Sequence, residues 1–459
     1  MRALATVRLV FATLFVLSVL WSSTTSSAVA DEVAIAPLIA TARRAGLRLL
    51  ESDHLVLATD RPARQGDGVE DLPRIFDEAF ASWCVHFAIP PATRSGWRAF
   101  GCLMAQRDRF IAIGLLPKEF PAFKNGYCDR NRFWLVDQPS PDYRRHLLLH
   151  EGVHAFTSTV RSLNTPPWYT EGIAELLATH RLVDGRFEPT PIPLRAGDVQ
   201  QLGRIEKIGE LRAKGGVPSL EDVFQTPANE HHDLAAYAAS WAATAMLAIH
   251  PAYAAMFAAV EAGPLDQEFK VRLQRSRGWS DSRAGRDFDA FADELDYGYD
   301  FSRSAIDWSP GQPLASTQQI VVDASKGWQN SGWSVAQGES YSLAASGRCT
   351  IGFLPPSAVA GLDSTGALGI ESEAAGISLR WYRGRPLGRL LVAQWGQVPG
   401  GEASRRGFVV VATGEDRRWT ASADGVVYFK VNDAPGELAE NSGTLSVAIA
   451  PVPRATARD

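Results

Sequence analysis

Cysteine and methionine are scarce, with four of each in 459 residues. Cys84, Cys102, Cys128 and Cys349 match no zinc-motif spacing, which excludes a thiolate metal site of the finger or ribbon kind. An excess of positive charge is also missing. Lys and Arg number 46 against 51 Asp and Glu, a net charge of −5, and that balance argues against nucleic acid as a partner. Beyond the first thirty residues no hydrophobic run is long enough to span a bilayer, so no integral membrane segment is expected in the processed chain. Internal repeats and low-complexity tracts are absent outside one short linker. What remains is an ordinary globular composition, 46% hydrophobic and 21% charged, long enough for two or three domains with separate cores.

The N-terminus reads as an export signal. Arg2 and Arg8 flank the start of the apolar run LVFATLFVLSVLW, and small polar residues follow, with Ala28 and Ala30 fitting a cleavage site before Asp31. The run is shorter than the ~20 residues of a spanning helix, which favours a signal peptide over an anchor. No cysteine lies near the cleavage point, so nothing marks a lipid-modified terminus. Cleavage after Ala30 removes two arginines and leaves 44 basic against 51 acidic residues, a net charge of −7. The mature protein is thus expected to be secreted or periplasmic. In that oxidising setting one disulfide has room among the first three cysteines, with Cys102–Cys128 as the first pair to consider.

Hydrophobic periodicity divides the rest. Residues 31–139 mix helix and strand: DLPRIFDEAFASWCVHF has helical spacing, whereas WRAFGCLMAQ, FIAIGLL and RFWLVDQ read as short strands. Residues 140–308 read as mostly helical, with Asp142 as N-cap of one helix and Pro166-Pro167 at the entrance of the next. A Pro/Gly/Ser stretch at 309–317 has linker chemistry. Residues 318–453 carry short β-type runs separated by Gly, Asp and Asn turns, the pattern of an all-β sandwich.

Two segments carry chemistry. HLLLHEGVHAF, residues 146–156, is apolar nearly all round yet holds His150, Glu151 and His154 within five positions. Residues i and i+4 share a helix face, so both imidazoles can reach one metal ion, with Glu151 beside them to accept a proton from a bound water. Residue frequencies give a chance match in about one chain per hundred of this length. A catalytic zinc takes three protein ligands and keeps one position open, so a carboxylate is expected on a neighbouring element. WYTEGIAE, residues 168–175, supplies Glu171 and Glu175 one helical turn apart. Without a metal these side chains would form a buried polar network.

These residues resemble the gluzincin metallopeptidases, which pair HExxH with a downstream W-x-x-E-G-x-A-E segment. Trp168, Glu171, Gly172, Ala174 and Glu175 match that pattern position for position. The resemblance implies an α+β, zincin-like catalytic domain, a mixed sheet followed by a mostly helical part. It implies His150, His154 and Glu171 as zinc ligands, Glu151 as general base, and Glu175 as acceptor of a hydrogen bond from a ligand imidazole. Gly172 would let the second helix approach the first. By analogy with the aminopeptidase type, Tyr237 would donate to the oxyanion; the bland alternative is an ordinary core aromatic. His231 and His232 are further candidates for that donor. Three residues take a plainer reading: His146 as a neutral or solvated histidine, His180 as solvent-facing, Tyr169 as a cleft-lining residue. The implied activity is peptide-bond hydrolysis on a peptide or protein substrate, and the lack of a GAMEN-like segment favours endopeptidase action. The rival readings are a carbohydrate- or surface-binding protein with a non-catalytic zincin domain, and a zinc hydrolase of a non-peptide amide or ester.

In the C-terminal region, VNDAPGELAENSGTLSVAI places Asp433, Glu437, Glu440 and Asn441 on one loop, and hard oxygen ligands gathered this way suit calcium. A solvated acidic turn is the simpler reading. Residues 318–450 resemble the calcium-dependent, galactose-binding bacterial lectins through SYSLAASGRCTIG, PLGRLLVAQWG and this loop. The resemblance implies a β-sandwich, calcium held by the four loop residues, and a glycan or cell-surface ligand. Two departures stand out: glutamates at 437 and 440, and an ESEAAGIS segment without the His and Gln that would clamp a sugar.

Overall fold

The computed structural model describes residues 33–198, 203–227, 233–354, 368–398 and 406–453. The expected signal segment and the His231-His232 pair lie outside these residues. The chain begins with α1 (Ala36–Arg44), β1 (Arg48–Glu51), β2 (Leu55–Thr59), α2 (Leu72–His86), β3 (Ala99–Met104), α3 (Arg107–Ala112), β4 (Gly126–Asp129) and β5 (Arg132–Val136). The strands form one sheet in the order β1-β2-β3-β5-β4, parallel at its centre and antiparallel at both edges.

Every residue of β2 and β3 is buried, because helices cover both faces of the parallel centre. The two-residue period sorts the side chains. Leu55, Leu57, Leu103, Phe133 and Leu135 join the core under α2, whereas Val56, Ala58, Phe100, Cys102, Met104 and Trp134 join the opposite cluster beside α1 and α3. At Gly101 an added Cβ would sit 2.5 Å from the Phe133 ring, so glycine makes room for that aromatic.

Helices follow: α4 (Pro141–Val160), α5 (Pro167–Ala178), then a β6 (His180–Val183) and β7 (Arg186–Pro189) hairpin, α6 (Arg204–Ala213), α7 (Leu220–Phe224), α8 (Leu234–Ile249), α9 (Ala254–Glu261), α10 (Phe269–Gln274), α11 (Asp281–Glu294) and α12 (Phe301–Ser304). Among the described residues no single helix is long and apolar enough to cross a membrane. Helices α8 and α9 pass that test only together, and they bend by 104°.

The remainder is β-rich: β8 (Gln312–Pro313), β9 (Gln318–Asp323), β10 (Gln329–Val335), β11 (Ser340–Ser346), β12 (Cys349–Leu354), β13 (Leu368–Ser372), β14 (Ile377–Tyr382), β15 (Arg385–Leu387), β16 (Leu390–Gln397), β17 (Arg406–Thr413), β18 (Asp416–Thr420), β19 (Gly425–Val431) and β20 (Ser442–Pro451). One sheet runs β17-β16-β19-β10-β8. A second runs β13-β12-β20-β11-β18, with β9 also paired to β20, and β14 pairs with β15 as a separate two-stranded ribbon. Leu390, Val392, Val427 and Phe429 from the first sheet share a core with Tyr341, Leu343, Leu445, Val447 and Ile449 from the second.

The alternate residues of that first sheet point outward, yet they are not exposed. Leu391, Ala393 and Tyr428 meet Ala290 of α11, Ile306 and Trp328, with Trp308, Trp395 and Phe408 packed around them. This aromatic seam joins the helical and β-rich regions. Polar contacts lock its rim: Lys430 pairs with Glu294, the Arg383 guanidinium donates to the Asp293 carbonyl at 2.7 Å, and the Tyr382 hydroxyl donates to Asp296 at 3.0 Å.

Several local expectations are corrected. FIAIGLL is not a strand; its first residues close α3, because the polar RDR that precedes them gives a helical turn that buries Phe110 alone. The cap of α4 is Ser140, whose hydroxyl accepts from the Tyr143 N–H, and Asp142 sits inside the first turn. The stretch at 309–317 is more than a tether, since Gln312–Pro313 pairs in parallel with β10. All four cysteines are free thiols. Cys102 on β3 and Cys128 on β4 are separated by β5, which puts them roughly 9–10 Å apart, beyond the reach of a disulfide.

Candidate metal centre

Helix α4 is buried along most of its length. Pro141 at its first position and the Ser140 cap fix its start, and Gly152 lets it lie against α2, where a Cβ would come 2.5 Å from Phe76 and 2.8 Å from Trp83. This pins the 150–154 turn. His150 and Glu151 are buried, and His154 is half-buried. The two imidazoles face one point: His150 Nε2 and His154 Nε2 are 3.1 Å apart.

Helix α5 brings the third group. Glu171 Oε2 lies 3.4 Å from each of those two nitrogens. A tetrahedral zinc with bonds of about 2.0–2.1 Å sets its ligand atoms roughly 3.3 Å apart. The triangle of two nitrogens and one oxygen therefore has the dimensions that such an ion requires. Gly172, the next residue, does not face α4 as the motif reading expects. Its missing Cβ would stand 2.6 Å from the Ser240 carbonyl oxygen and against the Thr244 hydroxyl, so glycine seats α5 on α8. Gly172→Ala is expected to lower Tm by roughly 2–3 °C, on the order of 2 kcal/mol, in a thermal melt. Any divalent cation held by the cluster should then bind less tightly, because Glu171 is displaced along with the helix.

Glu175, one turn beyond Glu171, places Oε1 3.1 Å from His150 Nδ1 and Oε2 3.2 Å from His146 Nε2. The same carboxylate receives a two-pronged contact from Arg204 at the start of α6, Nη2 to Oε1 at 2.7 Å and Nε to Oε2 at 3.0 Å. His146, His150 and Glu175 thus form a second cluster close enough to hold a cation. Arg204 already supplies the positive charge there, which leaves the His150–His154–Glu171 set as the better candidate to hold a metal ion.

Without a metal the cluster is a set of buried ion pairs. Burial opposes charge on Glu171, but His154 and His150 outweigh it and hold its carboxyl well below the usual range. Burial also opposes charge on Glu175, and Arg204 and His146 reverse it. His150 is lifted to about 10 by Glu171 and Glu175 despite its burial. Glu151 shifts the other way, upward, because burial exceeds the pull of His150 and His154. With His150 and His154 neutral, as metal-bound imidazoles must be, the carboxylates of Glu151, Glu171 and Glu175 would face the Arg204 guanidinium with a formal surplus of two negative charges, which a divalent cation would offset.

Glu151 is packed under the edge strand β4. A Cβ on Gly126 would stand 2.9 Å from the Glu151 Cδ, so glycine admits the carboxylate beside the backbone there. Tyr237, in the first turn of α8, has its ring centroid 6.1 Å from that of His150, and the Arg204 guanidinium lies over its face at 5.4 Å. Burial and the carboxylates of Glu171, Glu151 and Glu175 push its phenol up, so it stays protonated and able to donate.

Other residues take different places. His180 is buried rather than solvent-facing: its Nδ1 lies 2.7 Å from the Ala178 carbonyl, its Nε2 accepts from Arg145, and burial holds it neutral with a pKa of about 3. Tyr169 lines no cleft; it is fully buried and donates to Glu261 at 2.7 Å. His146 is buried and shifted down by desolvation, a neutral partner of Glu175. Arg204 has no local signal in the sequence, and its part in the cluster comes only from the fold.

In the β-rich region the loop residues converge. Asp433 is buried, and its carboxylate accepts from the Asn441 amide at 2.7 Å and from the Ala434 N–H. The Asn441 amide also donates to the Ala324 carbonyl, and its oxygen accepts from the Gly352 N–H. Burial raises Asp433, and burial together with Asp433 and Glu440 raises Glu437. Asn441 thus spends its polar atoms on protein partners. Among the described residues, the tight cation-holding groups are the two His/Glu sets of the helical region.

Neither a family profile nor a curated protein sequence matches the chain. A solved structure described as "EclA N-terminal domain; PllA-like lectin" is similar at 21% identity with a TM-score of 0.20, covering 30% of this chain and 98% of that one.

Proposed function

We propose that the chain is an exported zinc-dependent peptidase of gluzincin type with a lectin-like β-sandwich appended. The observation that carries the reading is the triangle of His150 Nε2, His154 Nε2 and Glu171 Oε2, with sides of 3.1, 3.4 and 3.4 Å and the Glu151 carboxylate beside it. Zinc held there would supply Lewis acidity, polarising a substrate carbonyl and acidifying water. Glu151 takes the proton from the attacking water and returns it to the leaving amine. Its raised pKa suits a base that must also act as an acid. Glu175 orients the His150 ring through Nδ1. Tyr237, kept protonated, donates to the oxygen that gains charge as the carbonyl becomes tetrahedral.

Metal analysis of the purified mature protein, run beside a proteome-derived peptide library, tests this. About one zinc per chain is expected, with cleavage that a chelator stops and added zinc restores. A chain that binds no zinc, or one whose cleavage is indifferent to chelation, overturns the reading.

A further inference from the structure

Helix α6 has the sequence RIEKIGELRA, which carries five charged residues in ten and little apolar surface. Nothing in that composition ties it to a metal centre. Yet its first residue is aimed inward. Gly203, with φ of +62°, takes the left-handed turn that starts the helix and sends the Arg204 side chain into the protein. There the guanidinium is largely buried and meets two groups at once, the Glu175 carboxylate in a bidentate pair and the face of Tyr237. Each oxygen of Glu175 is consequently approached by one arginine nitrogen and one histidine nitrogen.

We propose that Arg204 is a positioning residue of the metal centre: by gripping Glu175 it fixes the His150 ring, and by stacking on Tyr237 it sets the reach of that hydroxyl. The inference rests on the zinc reading above. A carboxylate held by the histidines alone could rotate about its last bond; the planar fork removes that freedom. Lysine cannot replace it, since an ammonium offers neither paired coplanar donors nor a flat face to lay on a phenol ring. The helix is itself braced from behind. The Tyr297 hydroxyl donates to Glu206, two residues along, and a Cβ on Gly436 of the sandwich would stand 2.9 Å from Gly298 beside that tyrosine. The β-rich region therefore buttresses the helix that delivers Arg204.

The test compares wild type with Arg204→Lys in the full-length mature protein. It measures zinc dissociation against a chromophoric chelator, thermal stability of the metal-free form, and the separate kcat and KM of peptide cleavage. Zinc affinity should fall about 10–100-fold in the variant. The kcat should fall while KM stays within about twofold, because substrate contacts are untouched. Wild-type zinc affinity in a folded Arg204→Lys protein overturns the proposal. Should that variant not fold, the neutral pair Arg204→Gln with Glu175→Gln decides in its place, and undiminished zinc binding by it is equally fatal. A wild type that holds no zinc defeats the functional reading instead, so the two failures are distinguishable.

Discussion

Purified Glu151→Gln protein is expected to bind zinc with wild-type stoichiometry and to hydrolyse peptides about 10²–10⁴-fold more slowly. The two halves of that result have separate causes. None of the three atoms in the ligand triangle belongs to Glu151, so replacing its carboxylate with an amide leaves that triangle intact. The amide is nearly isosteric, which matters where the edge-strand backbone at Gly126 closes directly over the side chain. What the amide cannot do is accept a proton from water and return it. Full activity in the variant would show that another group serves as the base. Loss of zinc together with activity would show that Glu151 helps to build the site and is not confined to using it.

The second large effect concerns the seam between the two regions. Glu294, at the C-terminal end of α11, pairs with Lys430 on β19 and lies 3.6 Å from the Arg383 guanidinium. Burial pushes Glu294 up, but Lys430 and Arg383 together hold it down at about 2. Glu294→Ala strands the almost wholly buried Lys430 charge beside the Trp328 ring. Equilibrium unfolding should show a loss of about 3–5 kcal/mol. Replacing both partners, Glu294→Gln with Lys430→Met, should recover most of that loss, because no unpaired charge is left behind. A single-variant cost below about 1 kcal/mol would mean that water reaches the pair and that it is an ordinary surface bridge. The pH dependence has a definite sign. A carboxyl whose folded pKa is depressed adds stability above its unfolded value near 4.5, and that stability is lost as pH falls towards about 2. Acid should therefore loosen this seam, and Glu294→Gln should blunt the acid branch of the unfolding curve.

Much of the His/Glu cluster was legible in the sequence because helix geometry converts spacing into direction. His150 and His154 at i and i+4 had to share a face, and Glu171 does lie beside them on a second helix. The legible part ends where contacts join segments distant in sequence. Arg204 stands 29 positions beyond Glu175 in a helix with no motif, so only the packing of α6 against α8 reveals it. Gly172 was read with the wrong neighbour for a related reason. Its smallness is evident from the sequence, but not whether α4 or α8 needs the room. His180 shows the reverse error. Outside the helix it resembled a surface residue, yet the β6–β7 hairpin folds it back under Arg145 and Phe187. The disulfide expectation failed because export chemistry says what is permitted, while strand order decides which sulfurs can meet.

In the fold, period-two patterning identified the β-rich region and the central strands. It could not identify β4, whose residues are all half-buried and whose sequence Gly-Tyr-Cys-Asp alternates nothing. Nor could it show that the outward face of β16 and β19 is apolar for a purpose. Leu391, Ala393 and Tyr428 read as one more buried strand pattern until α11 and Trp308 are laid on them.

That covering has an outcome for how the chain could be cut into parts. A fragment ending near residue 308 would present Ala290, Ile306 and Trp308 to water and leave Glu294 without its lysine. A fragment beginning there would bare Leu391, Ala393, Trp395, Phe408 and Tyr428 together. Neither half carries its own surface, so expression of either alone should yield sticky, aggregating material, while co-expressed halves reassociate.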